Sequence, residues 1–151
     1  MSITLQFAGD GGLSSGLIEW YGHDWCSHVD CVLPDGHLLG ARIKGGVAIR
    51  PPHYRRFRRV QRVTLPCPGE MDLAFRLFAH AQVGKPYDWT AIAAFAFDRD
   101  WREGRAWFCS ELVAAGLERC GYFATPLCTP ARKVTPGDLR LALSARVKIA
   151  A

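Results

Sequence analysis

The sequence predicts an α+β fold in which an antiparallel sheet, or a partial barrel, packs against helices. Two observations carry this. Up to Pro68, short apolar runs alternate with Pro and Gly turns, and from Met71 onward helical periodicity dominates. A cluster of strands followed by a cluster of helices is the α+β pattern. The 151 residues, 49% hydrophobic and 22% charged, are expected to form one domain over 1–151 with a real core.

The elements follow in order. Gly9 to Gly12 and Ser14 to Gly16 read as loop, and Leu17 to Tyr21 as a short helix. Ser27 to Leu33 reads as a strand, Pro34-Asp35-Gly36 as a turn, and His37 to Ile43 as the return strand of a hairpin. Gly45-Gly46 marks another turn, and Val47 to Arg50 a short extended segment stopped by Pro51-Pro52. Phe57 to Leu65 is a third long strand, ended by Pro66 and Pro68. Met71, Ala74, Phe75, Phe78 and Ala81 share one helical face, with Gly84 as C-cap. Tyr87-Asp88-Trp89 is expected to open a helix through Phe97, followed by a charged loop from Asp98 to Arg105. Leu112, Val113, Gly116, Leu117 and Cys120 recur at helical spacing behind Cys109, in a helix ending near Gly121. Thr135-Pro136-Gly137-Asp138 reads as a helix start, with Thr135 as N-cap and Pro136 at N1.

Composition narrows the function classes. No window reaches the roughly 18 uninterrupted apolar residues of a membrane span, the longest apolar stretch being Ala91 to Phe97. Met1 to Asp10 lacks the basic region and apolar core of a signal peptide, so the chain is expected to be cytoplasmic as synthesised. Its six cysteines, Cys26, Cys31, Cys67, Cys109, Cys120 and Cys128, lack the spacing of a disulfide scaffold and are expected to be reduced. The net charge of +5 is concentrated in Arg50, Arg55, Arg56, Arg58, Arg59 and Arg62, with Tyr54 and Phe57 interleaved. Arg55, Arg56, Arg58 and Arg59 suit an anionic ligand, or else form a solvated strand edge that resists edge-to-edge pairing. No nucleic-acid-binding motif accompanies them.

Chemistry concentrates at Trp107-Phe108-Cys109-Ser110-Glu111-Leu112-Val113. The amphipathic stretch places Cys109 at a helix N-terminus, where the dipole favours a thiolate, although most free cysteines are simply buried small hydrophobes. A cysteine nucleophile needs a base. Of His23, His28, His37, His53 and His80, His28 stands out because it lies on a strand and shares a face with Asp30.

Three motifs then combine. A Ser27-His28-Val29 strand, a Gly84-x-Pro86-Tyr87-Asp88 segment and a Phe108-Cys109-Ser110-Glu111-Leu112-Val113 helix start occur in that order. Together they resemble the permuted NlpC/P60-type papain-like cysteine hydrolases, the YiiX/YaeF-like branch related to lecithin:retinol acyltransferases. The resemblance runs from about Gly9 to Asp138 and implies a circularly permuted papain-like fold, with the histidine strand ahead of the cysteine helix. It makes Cys109 the nucleophile and His28 the general base and acid. Glu111, Tyr87 and Asp88 match supporting positions, and Thr135 to Leu139 matches the family's late helix start. It implies hydrolysis of an amide or ester through a thioester, with cell-wall peptide amides favoured and lipid acyl groups as the alternative. No cofactor is implied.

One departure stands out. The family usually places a third polar residue where Gly40 falls, and glycine cannot orient an imidazole. Asp30 and His37 are the replacements, Asp30 being favoured; a Cys–His dyad is the other possibility. Gly40 also supports a different class, a papain-like scaffold used as a binding or structural module in a phage or cell-envelope assembly. A zinc site of His23, Cys26, His28 and Cys31 is disfavoured, because His28 and Cys31 point to opposite faces of the strand.

Overall fold

The structure, a computed structural model, describes residues 1–88, 106–125, 127 and 134–145. The helix expected from Trp89 to Phe97, the charged loop to Arg105, and Cys128 lie outside these residues. Among the described residues there are five strands, β1 (Ser2–Gly9), β2 (His28–Val32), β3 (Leu38–Arg42), β4 (Gly46–Arg50) and β5 (Arg59–Pro66). Four helices accompany them: α1 (Leu13–Tyr21), α2 (Gly69–Ala81), α3 (Cys109–Arg119) and α4 (Pro136–Ser144). The strands form one sheet in the order β4-β3-β2-β1-β5, with every neighbouring pair antiparallel. This is an α+β architecture. No helix among the described residues is long and apolar enough to cross a membrane.

The sheet is organised around β1, which the sequence reading leaves unassigned. Its alternation is nonetheless clear: Ile3, Leu5 and Phe7 are buried on one face. Leu5 pairs with Cys31 and Val63, and Phe7 with Val29. These side chains join Phe75 of α2 and Leu112, Val113 and Leu117 of α3 in one apolar cluster. Each fully buried Leu or Phe contributes on the order of 2 kcal/mol. Gly116 lets α2 and α3 approach, since a Cβ there would meet the Phe75 ring at 2.8 Å.

Besides shifts of one or two residues at strand ends, four boundaries or faces differ from the sequence expectation. Ser14 to Gly16 are helical, because α1 begins at Leu13 and the Gly16 N–H donates to the Gly12 carbonyl at 2.8 Å. The buried face of α2 runs through Asp72, Phe75 and Ala79, and Ala74 and Ala81 are exposed. Asp72 can lie inward because Arg76 Nε sits 2.8 Å from its carboxylate. The C-cap of α2 is Gln82 rather than Gly84. Gly84, at φ 91°, instead turns the chain so that its N–H donates to the Val47 carbonyl. Finally, Tyr87 and Asp88 are not helical: Tyr87 forms a parallel bridge with Trp107.

Candidate active site

His28 opens β2, and alternation places Asp30 beside it on the same face. Both are buried, at 5% and 0% exposure. His28 Nε2 lies 2.8 Å from Asp30 Oδ1, and the Tyr54 hydroxyl donates to Asp30 Oδ2 at 2.9 Å. On the neighbouring strand, Cys31 pairs with Leu39, so the same register sets Gly40 opposite Asp30. A Cβ on Gly40 would land on Asp30 Oδ1. The space where a β3 side chain would stand is therefore filled from β2 by the Asp30 carboxylate.

Arg42 Nε approaches the same His28 nitrogen at 3.3 Å, while its two terminal nitrogens hold Asp10 Oδ2 at 3.0 and 2.9 Å. Nε2 cannot both donate to Asp30 and accept from Arg42. The carboxylate is nearer and of opposite charge to an imidazolium, so Nε2 faces Asp30 as an ion pair, although Arg42 rather than Asp30 stands at a hydrogen-bonding angle to that nitrogen. Burial opposes the charged imidazole, but the Asp30 charge and hydrogen bond, with a smaller part from Cys109, push His28 up to about 9. Burial likewise opposes the Asp30 anion. His28, Tyr54 and Arg42 outweigh it and hold Asp30 below the ordinary carboxylate range.

Cys109 is the first residue of α3 and is 1% exposed. Its side chain stands close enough to the His28 ring to add to that upward shift. The chain before it is strapped in place. The Trp107 N–H donates to the Pro86 carbonyl at 3.0 Å, and the Asp88 N–H to the Trp107 carbonyl at 3.1 Å. The Tyr87 ring lies 5.8 Å from that of Phe108. Glu111 Oε2 accepts from the Phe108 N–H at 3.4 Å, which caps the helix that carries Cys109. Ser110 Oγ donates to the Val134 carbonyl at 2.6 Å, tying the start of α3 to the segment before α4. Thus the Gly84-to-Asp88 and Cys109-to-Glu111 motifs meet in space, with Glu111, Tyr87 and Asp88 as supports.

A cleft of about 320 Å³ opens beside His28, walled in part by Asp10, Ser27, Arg42, Tyr54 and Tyr87. His37 is not at this site. It sits on the β2–β3 turn at the opposite end of the hairpin, 43% exposed and 3.1 Å from Asp35, too far along the strand to orient His28. The arginine cluster also divides. Arg55 pairs with Asp10 at 3.0 Å and lines the cleft, whereas Arg58 pairs with Glu19 and Arg59 stacks on Trp25 at 4.4 Å. Arg56 is exposed. The four arginines therefore do not form one ligand site: Arg55, Arg56 and Arg58 lie on the irregular segment between β4 and β5 and only Arg59 on the strand, and they meet different neighbours. Among the described residues no group of three His, Cys, Asp or Glu side chains is arranged to hold a metal. Cys31 faces the apolar core, and the Cys26 thiol donates to the His28 carbonyl at 3.3 Å. Cys26, Cys31, Cys67, Cys109 and Cys120 are free thiols.

Tyr54, Arg42 and Asp10 belong to the site and carry no sequence signal as a group. Arg42 alone was within reach, two residues after Gly40 and so on the same face of β3. No protein-family model matches this chain. A search of curated proteins likewise finds no match to it.

Proposed function

We propose that this protein is a cysteine hydrolase or acyltransferase of the permuted papain-like type, working through a thioester at Cys109. The observation that carries the reading is the buried Cys109–His28–Asp30 array, with Tyr54 on the second Asp30 oxygen. The order of elements also supports it, the histidine strand β2 preceding the cysteine helix α3.

The reaction follows from the groups present. With Nε2 turned to Asp30, Nδ1 is left to face Cys109; the imidazole, protonated at neutral pH, holds the proton given up by the thiol, and the Sγ thiolate attacks an acyl carbonyl carbon. Asp30 stabilises the imidazolium so formed. First-turn N–H groups of α3, including that of Cys109, face the developing oxyanion. Collapse breaks the amide or ester bond, and His28 returns the proton to the leaving group. Water or another acceptor then attacks the thioester and yields its proton to His28. Cell-wall peptide amides are the favoured substrate class and lipid acyl groups the alternative.

One observation favours a second reading, a papain-like scaffold used as a binding or structural module: Cys109 is only 1% exposed. Labelling separates the two. Under limiting iodoacetamide at neutral pH, peptide mass mapping should find Cys109 alkylated well ahead of Cys26 and Cys31, whose thiols burial pushes up to about 12. His28→Ala should slow that labelling at least tenfold, because the imidazole no longer takes the thiol proton. Equal Cys109 labelling in both proteins would leave the module reading standing.

A further inference from the structure

The cleft beside His28 carries an excess of positive charge. Its charged walls, besides His28, are Arg42, Lys44, Arg50, Arg55 and Asp10. Arg42 and Arg55 share the single Asp10 carboxylate. Arg50 donates only to neutral carbonyls, those of Gly40, Ala48, Lys44 and Gly46, at 2.8 to 3.3 Å. Its hydrogen bonds are satisfied and its charge is not neutralised. Lys44 is exposed at the rim. Four cations thus face one anion, while the His28–Asp30 pair adds no net charge when the imidazole is protonated. In a partly enclosed cleft such an excess acts over several ångströms and is only partly screened.

We propose that the acyl donor carries a second anionic group, a carboxylate or a phosphate, held among Arg42, Lys44, Arg50 and Arg55 while its carbonyl is presented to Cys109. This rests on the hydrolase reading and adds the substrate class. A simple fatty acyl ester leaves the cationic cleft without a counter-charge. An acidic peptide or a phosphate-bearing lipid supplies one.

Paired esters of equal length test it. The terminal carboxylate of p-nitrophenyl glutarate should raise kcat/KM about tenfold over p-nitrophenyl pentanoate in low salt, the worth of one partly screened charge pair. The ratio should shrink as salt is raised and fall towards one in Lys44→Gln/Arg55→Gln. Equal kcat/KM for the two esters would overturn the proposal. If neither ester is turned over, the hydrolase reading fails by itself, and the cleft is judged by calorimetry on Cys109→Ala. There, saturable binding of glutarate or of glycerol 1-phosphate at low salt, weakened in the Lys44/Arg55 double variant, supports the anion site. The tighter of the two tells a carboxylate source from a headgroup. No saturable binding of either overturns it.

Discussion

Gly40 and Asp30 are two halves of one device. Asp30 reaches the imidazole only because Gly40 leaves its own side-chain space empty. Gly40→Ala should displace the carboxylate, with a stability loss of about 1–3 kcal/mol in urea denaturation and a parallel loss of turnover. In an Asp30→Ala background the same change should cost little, because the clash partner is gone. Equal costs in the two backgrounds would break the link. Asp30→Asn keeps the shape and removes the charge. It should lower kcat by on the order of 10²–10⁴ and move the His28 titration, followed by imidazole NMR, downward, since only the smaller Cys109 contribution then opposes burial. His37→Gln should change neither quantity, in keeping with its place on the far turn.

At the scale of elements, the site depends on how two helix starts are held. α3 is fixed by Glu111 at its cap and by Ser110 bonded to Val134. Val134 leads directly into α4, where Thr135 Oγ1 accepts from the Asp138 N–H at 3.1 Å and the Asp138 carboxylate accepts from the Thr135 N–H at 3.0 Å. Thr135→Ala removes a reciprocal cap and should cost about 1 kcal/mol in urea denaturation. Thr135→Ser keeps the hydroxyl and should recover most of that loss. The opposite wall is held by backbone: the Val47 N–H donates to the Lys85 carbonyl at 2.9 Å, and Gly46 has no Cβ to collide with that carbonyl. β4 thereby fixes the segment leading to Tyr87, which in turn straps Trp107, two residues before Cys109.

For the whole molecule, the buried pair links stability to pH. The His28 imidazole rises from an ordinary 6.5 to about 9 on folding. The folded state therefore binds this proton more tightly than the unfolded chain. Its contribution is fully present below about pH 6.5 and is lost as pH rises through about 9. Asp30 acts on the acid side: held below its ordinary 3.8, it contributes above that pH and fades as pH falls through its folded value. The urea midpoint should accordingly drop between pH 6.5 and 9.5, and Asp30→Asn should flatten that drop. A wild-type midpoint that does not move over this range would exclude a protonated, Asp30-paired His28 in the fold.

Local chemistry made much of this legible in the sequence. Pro34-Asp35-Gly36 set the β2–β3 hairpin, Thr135-Pro136 with Asp138 set the α4 start, and apolar periodicity behind Cys109 set α3, because turns, caps and amphipathic faces are written within a few residues. The His28/Asp30 face followed from strand alternation alone. What only the tertiary structure decided was everything that depends on contacts across the chain. Tyr54 meets Asp30 across 24 positions and Arg42 meets Asp10 across 32. The meaning of Gly40 lay in the carboxylate opposite it, and the arginine run was divided by which neighbours the β4–β5 connection met. Such pairings are set by sheet register and packing, which no local window of residues contains.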